Sequence, residues 1–227
     1  MSKAIILLSG GLDSLVALGV YKEKYGISLA LTFDYGQKAA KEEISTSKNI
    51  CDFYSVQHKV IKLDWLKEIT TTALVSDKEI PTSDLGTKES AKNVWVPNRN
   101  GLFLNIAASY ADAMDFDYII FGANKDEAGN FPDNTELFRE RISDVFKMST
   151  LKQPQVIAPL INYSKDDIVK IAMENSVPLE MVRSCYNSGD FHCGKCESCK
   201  HLKRALLKNK GERYIKILFN DDENKVY

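Results

Sequence analysis

A loop rich in serine and glycine follows an apolar run and has the residue types that bind phosphate. Residues 4–8 (AIILL) lead into residues 9–14 (SGGLDS), after which apolar residues recur at helical spacing. Glycines let the backbone turn sharply and approach a ligand, and the free amide groups and dipole of a following helix favour an anion. The serines add hydroxyl donors, and Asp13 is suited to cap the helix or to hold a metal ion. This order of strand, loop and helix predicts a pyrophosphate-binding site rather than a plain glycine turn.

Four cysteines near the other end of the sequence have a spacing typical of a metal site. Cys185 is followed by Cys193, Cys196 and Cys199, so two Cys-x-x-Cys steps share a residue. Four thiolates favour tetrahedral zinc, and a complete set leaves no open position for water or substrate, so we expect structural zinc. A redox pair would need only two of these cysteines, whereas an iron–sulfur cluster has the same ligands and stays an alternative.

Three further residues of metal-binding type are expected to lie outside that site. His192 and His201 flank the cysteines but are not needed as ligands beside four thiolates. Cys51 falls within the apolar pattern of a predicted helix and has no partner that would activate its thiol. We therefore interpret Cys51 as a small core residue.

Length and charge limit the class of protein. The chain has 227 residues, with 30 Lys and Arg against 31 Asp and Glu, a formal net charge of -1. Without a basic excess there is no global attraction to nucleic acid or to an anionic membrane. The first apolar run is too short for a signal peptide or a membrane span, which favours a cytoplasmic location. We expect an α/β domain over residues 1–183 and, over residues 184–227, a four-cysteine zinc segment with a C-terminal helix packed on it.

The elements that must position these residues alternate between strands and helices. Predicted strands cover residues 3–8, 28–35, 59–63, 118–122 and 156–160. Predicted helices cover residues 13–24, 38–54, 100–114 and 135–148, and a capping box of Ser164 and Asp167 begins another that ends near residue 175. This alternation predicts a doubly wound, mainly parallel sheet with ligands at the carboxyl ends of its strands. Residues 70–95 are polar and lack periodicity, which indicates a mobile lid or a disordered insert.

Several segments taken together resemble a known enzyme family. They are residues 9–14, 33–37 (FDYGQ), 96–100 (VPNRN), 131–133 (FPD), 184–186 (SCY) and 193–199 (CGKCESC). In combination they are similar to the 7-cyano-7-deazaguanine synthase family, part of the PP-loop ATP pyrophosphatase superfamily with its adenine nucleotide alpha hydrolase-like fold. The glycine loop alone indicates only the superfamily, and the chain has neither a Walker A loop nor a dinucleotide fingerprint.

The resemblance implies a reaction in queuosine biosynthesis, in which 7-carboxy-7-deazaguanine, ammonia and ATP give the nitrile. It further implies ATP and Mg²⁺ at the loop, structural Zn²⁺ at the cysteines, and a homodimer with no membrane partner. No glutaminase constellation is apparent in the sequence, so ammonia would be free or come from another protein.

The residues expected to form the site fall into three overlapping sets. The nucleotide set is Leu8, Ser9, Gly10, Gly11, Leu12, Asp13, Ser14, Leu31, Phe33 and Gly122. The catalytic set is Ser9, Asp13, Ser14 and Arg99, and the substrate set is Tyr35, Gln37, Asn98, Arg99, Phe131 and Asp133. Plainer interpretations stand beside these: a surface ion pair for Arg99, core packing for the aromatic residues and a helix cap for Asp133. Lys165 begins a predicted helix from which phosphate is within reach, but an exposed position is the default.

The chain departs from the family pattern in three places. Lys38 and Ala39 stand where the family has Arg-His, and Asn98 stands where it has Gly. Residues 123–134 (ANKDEAGNFPDN) replace the family segments Val-Cys-Glu-Thr-Asp and Ser-Gly-Tyr-Pro-Asp-Cys-Arg.

Three alternatives to nitrile synthesis therefore stay open. One is a ligase that couples the activated acid to an amine of a protein or nucleic acid, for example in antiviral defence. Another is a PP-loop tRNA-modifying enzyme, which would need an RNA-binding extension or a reactive cysteine near the sheet, and neither is evident. The third is a zinc-stabilised binding module without catalysis, which the intact glycine loop disfavours.

Overall fold

Five parallel strands form the central sheet of the computed structural model, which describes residues 2–219. The strands are β1 (Ala4–Leu7), β2 (Ile27–Asp34), β3 (Gln57–Lys62), β4 (Tyr118–Ile120) and β5 (Gln155–Ile157). Their order is β3-β2-β1-β4-β5, and every neighbouring pair is parallel. The predicted parallel α/β fold is confirmed, although β4 and β5 end earlier than the sequence pattern indicated. Residues 220–227 of the predicted C-terminal segment lie outside the described residues.

The position of each strand in the sheet explains its composition. β1 is buried throughout and β2 nearly so, because central parallel strands covered by helices need continuous apolar runs. β3 lies at the edge and mixes half-buried with exposed residues, among them Lys59 and Lys62. Charged side chains at an edge discourage pairing with a second sheet.

Helices follow the strands as the alternation predicted. Within residues 2–219 they are α1 (Leu12–Tyr25), α2 (Ala40–Tyr54), α3 (Lys88–Val94), α4 (Arg99–Met114), α5 (Lys125–Ala128), α6 (Glu136–Ser149), α7 (Lys165–Glu174), α8 (Glu197–Lys208) and α9 (Glu212–Leu218). The predicted capping box at the start of α7 is confirmed, since Ser164 and Asp167 each bond the backbone amide of the other. None of the helices in the described part of the chain has both the length and the apolar character needed to cross a membrane.

The polar segment 70–95 is ordered by contacts at both of its ends. Thr87 caps α3 by accepting a hydrogen bond from the amide of Ser90 at 3.1 Å. The amide of Ala73 donates to the carbonyl of Asn93 at 2.7 Å, and Leu74 is buried. The expectation of a disordered insert is therefore wrong, because hydrogen bonds and a few buried apolar residues without a regular period hold this segment.

The order of the strands reverses direction between β1 and β4. In the sheet, β2 and β3 lie on one side of β1, and β4 and β5 lie on the other. In open parallel sheets such a reversal leaves a crevice outside the carboxyl ends of the strands, where ligands bind. The glycine loop follows β1 and Gly122 follows β4, so both lie at this crevice.

Candidate active site

Hydrogen bonds that involve the hydroxyls of Ser9 and Ser14 hold the conformation of the glycine loop between β1 and α1. Ser14 Oγ donates to the carbonyl of Gly11 at 3.1 Å, and the amide of Gly11 donates to Ser9 Oγ at 3.3 Å. Gly11 precedes α1 in an extended conformation and provides no side-chain cap. The amide groups of the first turn therefore stay available to an anion.

Gly10 holds a backbone conformation that other residues rarely adopt. Its φ is +76°, and a Cβ built there would lie 2.8 Å from Cγ2 of Thr46 on α2. Gly10→Ala is therefore expected to destabilise the fold by roughly 1–3 kcal/mol and to weaken anion binding, because the loop must shift. Thermal unfolding with and without nucleotide measures both effects.

Gly129 offers a matched control for this substitution. Its φ is -72°, and a Cβ there would meet nothing within 4 Å, so Gly129→Ala should leave the melting temperature nearly unchanged. If the two alanine variants unfold at the same temperature, the conformational role of Gly10 is contradicted.

A cavity of about 210 Å³ opens over the glycine loop at the carboxyl edge of the sheet. All predicted nucleotide and catalytic residues except Gly10 line it: Leu8, Ser9, Gly11, Leu12, Asp13, Ser14, Leu31, Phe33, Arg99 and Gly122. Gly10 lies in the same loop. Tyr35 of the predicted substrate set lines the cavity as well. A Cβ at Gly122 would lie 3.0 Å from the backbone nitrogen of Ser14, so a glycine there lets the end of β4 approach the loop.

Phe131 and Asp133 of the predicted substrate set lie in a smaller neighbouring cavity of about 40 Å³. This cavity shares Arg99, Glu127 and Tyr186 with the larger one. Phe131 lies parallel to Trp95, with ring centroids 5.7 Å apart and an interplanar angle of 7°. The second cavity thus combines aromatic faces with a carboxylate.

Asn98 and Gln37 line neither of these two cavities. Asn98 is exposed and precedes α4 with a φ of +51°. Gln37 is buried, and its amide oxygen accepts a hydrogen bond from the amide of Tyr35 at 3.0 Å. Both residues lie beside the site, where they shape its backbone.

A buried lysine joins the glycine loop to the segment after β4. Lys165 Nζ on α7 lies 2.7 Å from Oδ2 of Asp13 and 2.8 Å from Oε1 of Glu127. The side-chain amide of Asn124 donates to the same oxygen of Asp13 at 3.0 Å. The expectation that Lys165 is exposed is therefore wrong, because two carboxylates offset the cost of burying its ammonium group. We call Asp13, Glu127 and Lys165 the acid–lysine cluster.

The acid–lysine cluster carries two carboxylates against one ammonium group. Burial opposes ionisation of Glu127, but the charge of Lys165 outweighs it and lowers the pKa of Glu127 to about 2. Burial raises the pKa of Asp13, and its Oδ1 is buried with no hydrogen-bond partner among residues 2–219. An unpaired carboxylate oxygen beside a phosphate-binding loop fits Mg²⁺, which is commonly held by one or two carboxylates together with phosphate oxygens.

Arg99 also lines the large cavity, at the start of α4. Its Nη1 donates to the hydroxyl of Tyr35 at 3.1 Å. No salt bridge of Arg99 is found in the described part of the chain, so the interpretation as a surface ion pair is not supported. Its planar guanidinium remains suited to a carboxylate or a phosphate.

Glu43 on α2 also lines the large cavity, although nothing in the sequence pattern singled it out. Its Oε2 accepts a hydrogen bond from Nε2 of Gln37 at 2.8 Å. Burial raises the pKa of Glu43 to about 7, even though this hydrogen bond and the charges of Arg99 and Arg183 favour the ionised carboxylate.

Glu43→Gln is expected to change how stability depends on pH. The pKa of this carboxyl is about 7 in the fold against an ordinary value of 4.5, so the unfolded chain releases the proton first as the pH rises. The free energy of unfolding of the wild type therefore falls between these two values, and Glu43→Gln removes that loss. Denaturant unfolding across this pH range measures the effect. A stability difference between the two proteins that does not vary with pH would show the shift to be absent.

The four cysteines come together as the spacing predicted. Their sulfur atoms all lie within 4.8 Å of one another, and those of Cys193 and Cys199 are 3.9 Å apart. Cys196 precedes α8 and Cys199 lies in its first turn, where free amides and the helix dipole favour thiolates. A tetrahedral zinc ion with Zn–S bonds of about 2.3 Å needs sulfurs roughly 3.8 Å apart, so this donor set fits zinc.

His192 takes no part in the cluster, in agreement with the sequence-based interpretation. Its Nε2 accepts a hydrogen bond from the amide of Ser184 at 2.9 Å, and its Nδ1 lies 3.1 Å from the carbonyl of Leu218. Both ring nitrogens are thereby used. Cys51 is fully buried in α2, as expected of a core residue.

Arg183 and Gly189 connect the cysteine cluster to the glycine loop. The amide of Arg183 donates to the carbonyl of Gly10 at 2.8 Å. Its guanidinium donates to the carbonyl of Gly189 at 2.7 Å, and the amide of Gly189 donates to Glu42 on α2 at 2.8 Å. The glycine loop and the segment that carries the cysteines are therefore joined by hydrogen bonds.

Comparison with known proteins places this architecture in a family. The model of the queuosine biosynthesis protein QueC matches residues 3–210. The chain belongs to the QueC family. The 7-cyano-7-deazaguanine synthase of Methanosarcina barkeri is 46% identical over 220 residues, which are 92% of this chain and 95% of the relative. That of Carboxydothermus hydrogenoformans is 48% identical over 211 residues, which are 90% of this chain and 98% of the relative.

A solved structure shares the fold of this QueC-family chain. It is the U34-tRNA thiolase NcsA from Methanococcus maripaludis with its [4Fe-4S] cluster, with a TM-score of 0.51 and 17% identity. The match covers 96% of this chain and 69% of the thiolase. At this identity the likeness concerns the fold alone, which is of the PP-loop type.

The segment in which this QueC-family chain departs from the expected pattern is built into the site. Residues 123–134 supply Asn124 and Glu127 to the network around Asp13, and Phe131 and Asp133 to the smaller cavity. This segment therefore forms part of the wall of the site.

Proposed function

We propose that this chain is an ATP-dependent 7-cyano-7-deazaguanine synthase, a carbon–nitrogen ligase that converts the carboxylate of 7-carboxy-7-deazaguanine into a nitrile with ammonia. One observation carries the proposal: a single cavity joins the glycine loop to Arg99. Phosphate and an acceptor carboxylate have room to meet there, which a transfer between them requires. The names of the relatives from Methanosarcina barkeri and Carboxydothermus hydrogenoformans support the same activity.

The chemistry begins with a carboxylate, which is a poor electrophile. Transfer of a nucleotidyl or phosphoryl group from ATP to one carboxylate oxygen creates a leaving group, and ammonia displaces it to give an amide. A second activation, at the amide oxygen, allows that oxygen to leave and the nitrile to form. Both steps ask the protein to orient the reactants, neutralise phosphate charge and exclude water.

Different residues of the large cavity bind the different parts of ATP and of the acceptor. The loop amides and the hydroxyls of Ser9 and Ser14 bind the phosphates, and the backbone at Leu31 and Phe33 faces the adenine. Asp13, whose Oδ1 has no hydrogen-bond partner among the described residues, would hold Mg²⁺, which would screen phosphate charge. Arg99 binds the acceptor carboxylate through its fork.

The deazaguanine ring belongs in the large cavity beside Arg99, with one edge toward the smaller cavity, which at about 40 Å³ is too small for the whole ring. Trp95 and Phe131 provide flat faces, and the carboxylate of Asp133 is suited to accept hydrogen bonds from ring N–H groups. This placement leaves the acid group of the substrate next to Arg99, which lines both cavities.

Zinc at the four cysteines completes the proposal as a structural ion. We assign residues 1–183 to the ATP-binding domain and residues 184–227 to the zinc segment. Five cysteines without a disulfide suit the reducing cytoplasm. The protein acts as a homodimer on free ammonia or on ammonia delivered by another protein.

Product analysis tests the proposed function directly. The protein is incubated with ATP, Mg²⁺, ammonium and 7-carboxy-7-deazaguanine, and the products are identified by mass spectrometry. Nitrile supports the synthase. Amide alone, or mass added to a protein or nucleic acid, would point to a divergent ligase, and absence of ATP consumption would reject both activities.

A further inference from the structure

Glu43 lies where the glycine loop meets the acceptor side of the cavity. It occupies the first turns of α2 and lines the cavity together with Ser9 and Arg99. Its backbone oxygen is 3.6 Å from the position of a Cβ built on Gly10, so this part of α2 packs directly against the loop. The activated acyl carbon must lie between the phosphate site and Arg99, which is the region that Glu43 borders.

Gln37 fixes the orientation of this carboxylate. Its amide oxygen accepts from the amide of Tyr35 at 3.0 Å, which identifies the other end as the nitrogen. That nitrogen donates to the carbonyl of Phe33 at 3.0 Å and to Oε2 of Glu43 at 2.8 Å. Oε1 of Glu43 accepts no hydrogen bond from the residues that the structure describes, so one oxygen is left for a ligand.

The reaction needs a proton acceptor at this place. Ammonia exists mainly as ammonium at neutral pH, and ammonium has no lone pair with which to attack a carbon. We propose that Glu43 is the general base that binds ammonium through Oε1 and takes one of its protons. The inference rests on the proposed function, because it assigns the nitrogen-binding residue of that reaction.

The atoms balance in a single displacement. Ammonium gives one proton to Oε1 of Glu43, and the lone pair of the resulting ammonia forms the bond to the activated carboxyl carbon. The bond from this carbon to the leaving oxygen breaks, and its electron pair stays with the departing phosphate. A second proton leaves the nitrogen for solvent, which gives the neutral amide, and Glu43 then releases its own proton to solvent.

The charged groups around Glu43 are compatible with this role. Burial and the charge of Glu42 on the same helix oppose its ionised form, while Arg99 on α4 and Arg183 before the cysteines favour it. With a pKa of about 7, the carboxyl exchanges a proton near neutral pH, where a general base is most effective.

The rates of reaction with two nucleophiles, ammonium and hydroxylamine, distinguish a general base from other roles of Glu43. Hydroxylamine is largely unprotonated at neutral pH and needs no base before it attacks to give a hydroxamate. With saturating ATP and acid, Glu43→Gln should lower the rate of amide and nitrile formation from ammonium by about 10²–10⁴-fold. The rate with hydroxylamine should stay close to that of the wild type, and higher pH should partly rescue the reaction with ammonium.

Glu42→Gln is the matched control, because Glu42 precedes Glu43 and keeps an oxygen for the amide of Gly189. It should keep the wild-type ratio of the two rates, with only the pH profile of the ammonium reaction shifted to lower pH, because the charge of Glu42 raises the pKa of Glu43. Three results for Glu43→Gln would overturn its assignment as the base and leave the proposed function intact. They are equal losses of rate with both nucleophiles, a raised KM for the acid, and an unchanged rate with ammonium. If the wild-type protein forms no product with either nucleophile, the proposed function fails together with the inference.

Discussion

Cys196→Ser is expected to release the metal from the four-cysteine cluster and to lower the free energy of unfolding by several kcal/mol. Structural zinc contributes roughly 10–16 kcal/mol to the folding of zinc-finger peptides, and the loss of one thiolate from a complete set removes much of that contribution. Cys196 is fully buried and precedes α8, so the change also removes the bond to the metal that fixes the start of this helix.

The metal content and the unfolding midpoint measure this effect together. Cys51→Ser is the control, because Cys51 is equally buried but lies in α2, outside the cluster. It should reduce stability by packing alone and leave the zinc content unchanged. Full zinc content in Cys196→Ser would contradict the four-thiolate site, and an iron–sulfur cluster would reveal itself by iron and by its visible absorption.

Loss of the metal should also weaken nucleotide binding at the glycine loop. Arg183 connects the segment before the cysteines to Gly10 through its backbone amide and to Gly189 through its guanidinium. When that segment loosens, Gly10 loses a hydrogen-bond partner, so we expect Cys196→Ser to weaken ATP binding even under conditions in which the protein stays folded.

Short-range patterns made part of this site predictable from the sequence. The loop residues and three of the four cysteines are close neighbours in the chain. Their residue types indicate phosphate binding and metal binding, respectively. The strands were recognisable for a related reason, since a run such as that of β1 is apolar only when both faces are buried. Capping at Ser164 was equally local.

The rest depends on contacts between distant segments. Lys165 lies 152 residues from Asp13 along the chain, and only the strand order brings α7 to the glycine loop. A lone lysine in the first turn of a helix carries no sign of burial. Glu43 belongs to a charged stretch that looks exposed, and α3 has only seven residues, too few to show a period.

Asp13→Asn is expected to lower kcat/KM for nitrile formation by roughly 10²–10³-fold, because it removes the charge that we propose to hold Mg²⁺ near the phosphates. The fold should tolerate the change. Asparagine keeps an oxygen toward Lys165 and Asn124, and Lys165 retains its ion pair with Glu127 at 2.8 Å. Steady-state kinetics and thermal unfolding of the same preparation measure the two quantities.

Lys165→Met is the informative contrast within the same cluster. It leaves the carboxylates of Asp13 and Glu127 close together without a counter-charge, so it should cost about 3–5 kcal/mol of stability as well as activity. Asp13→Asn instead leaves one ammonium and one carboxylate, a balanced pair. If Asp13 served only to neutralise Lys165, Asp13→Asn would retain activity, and wild-type kinetics in that variant would refute the metal-binding role. A loss of activity at unchanged stability places the negative charge of Asp13 in the reaction itself.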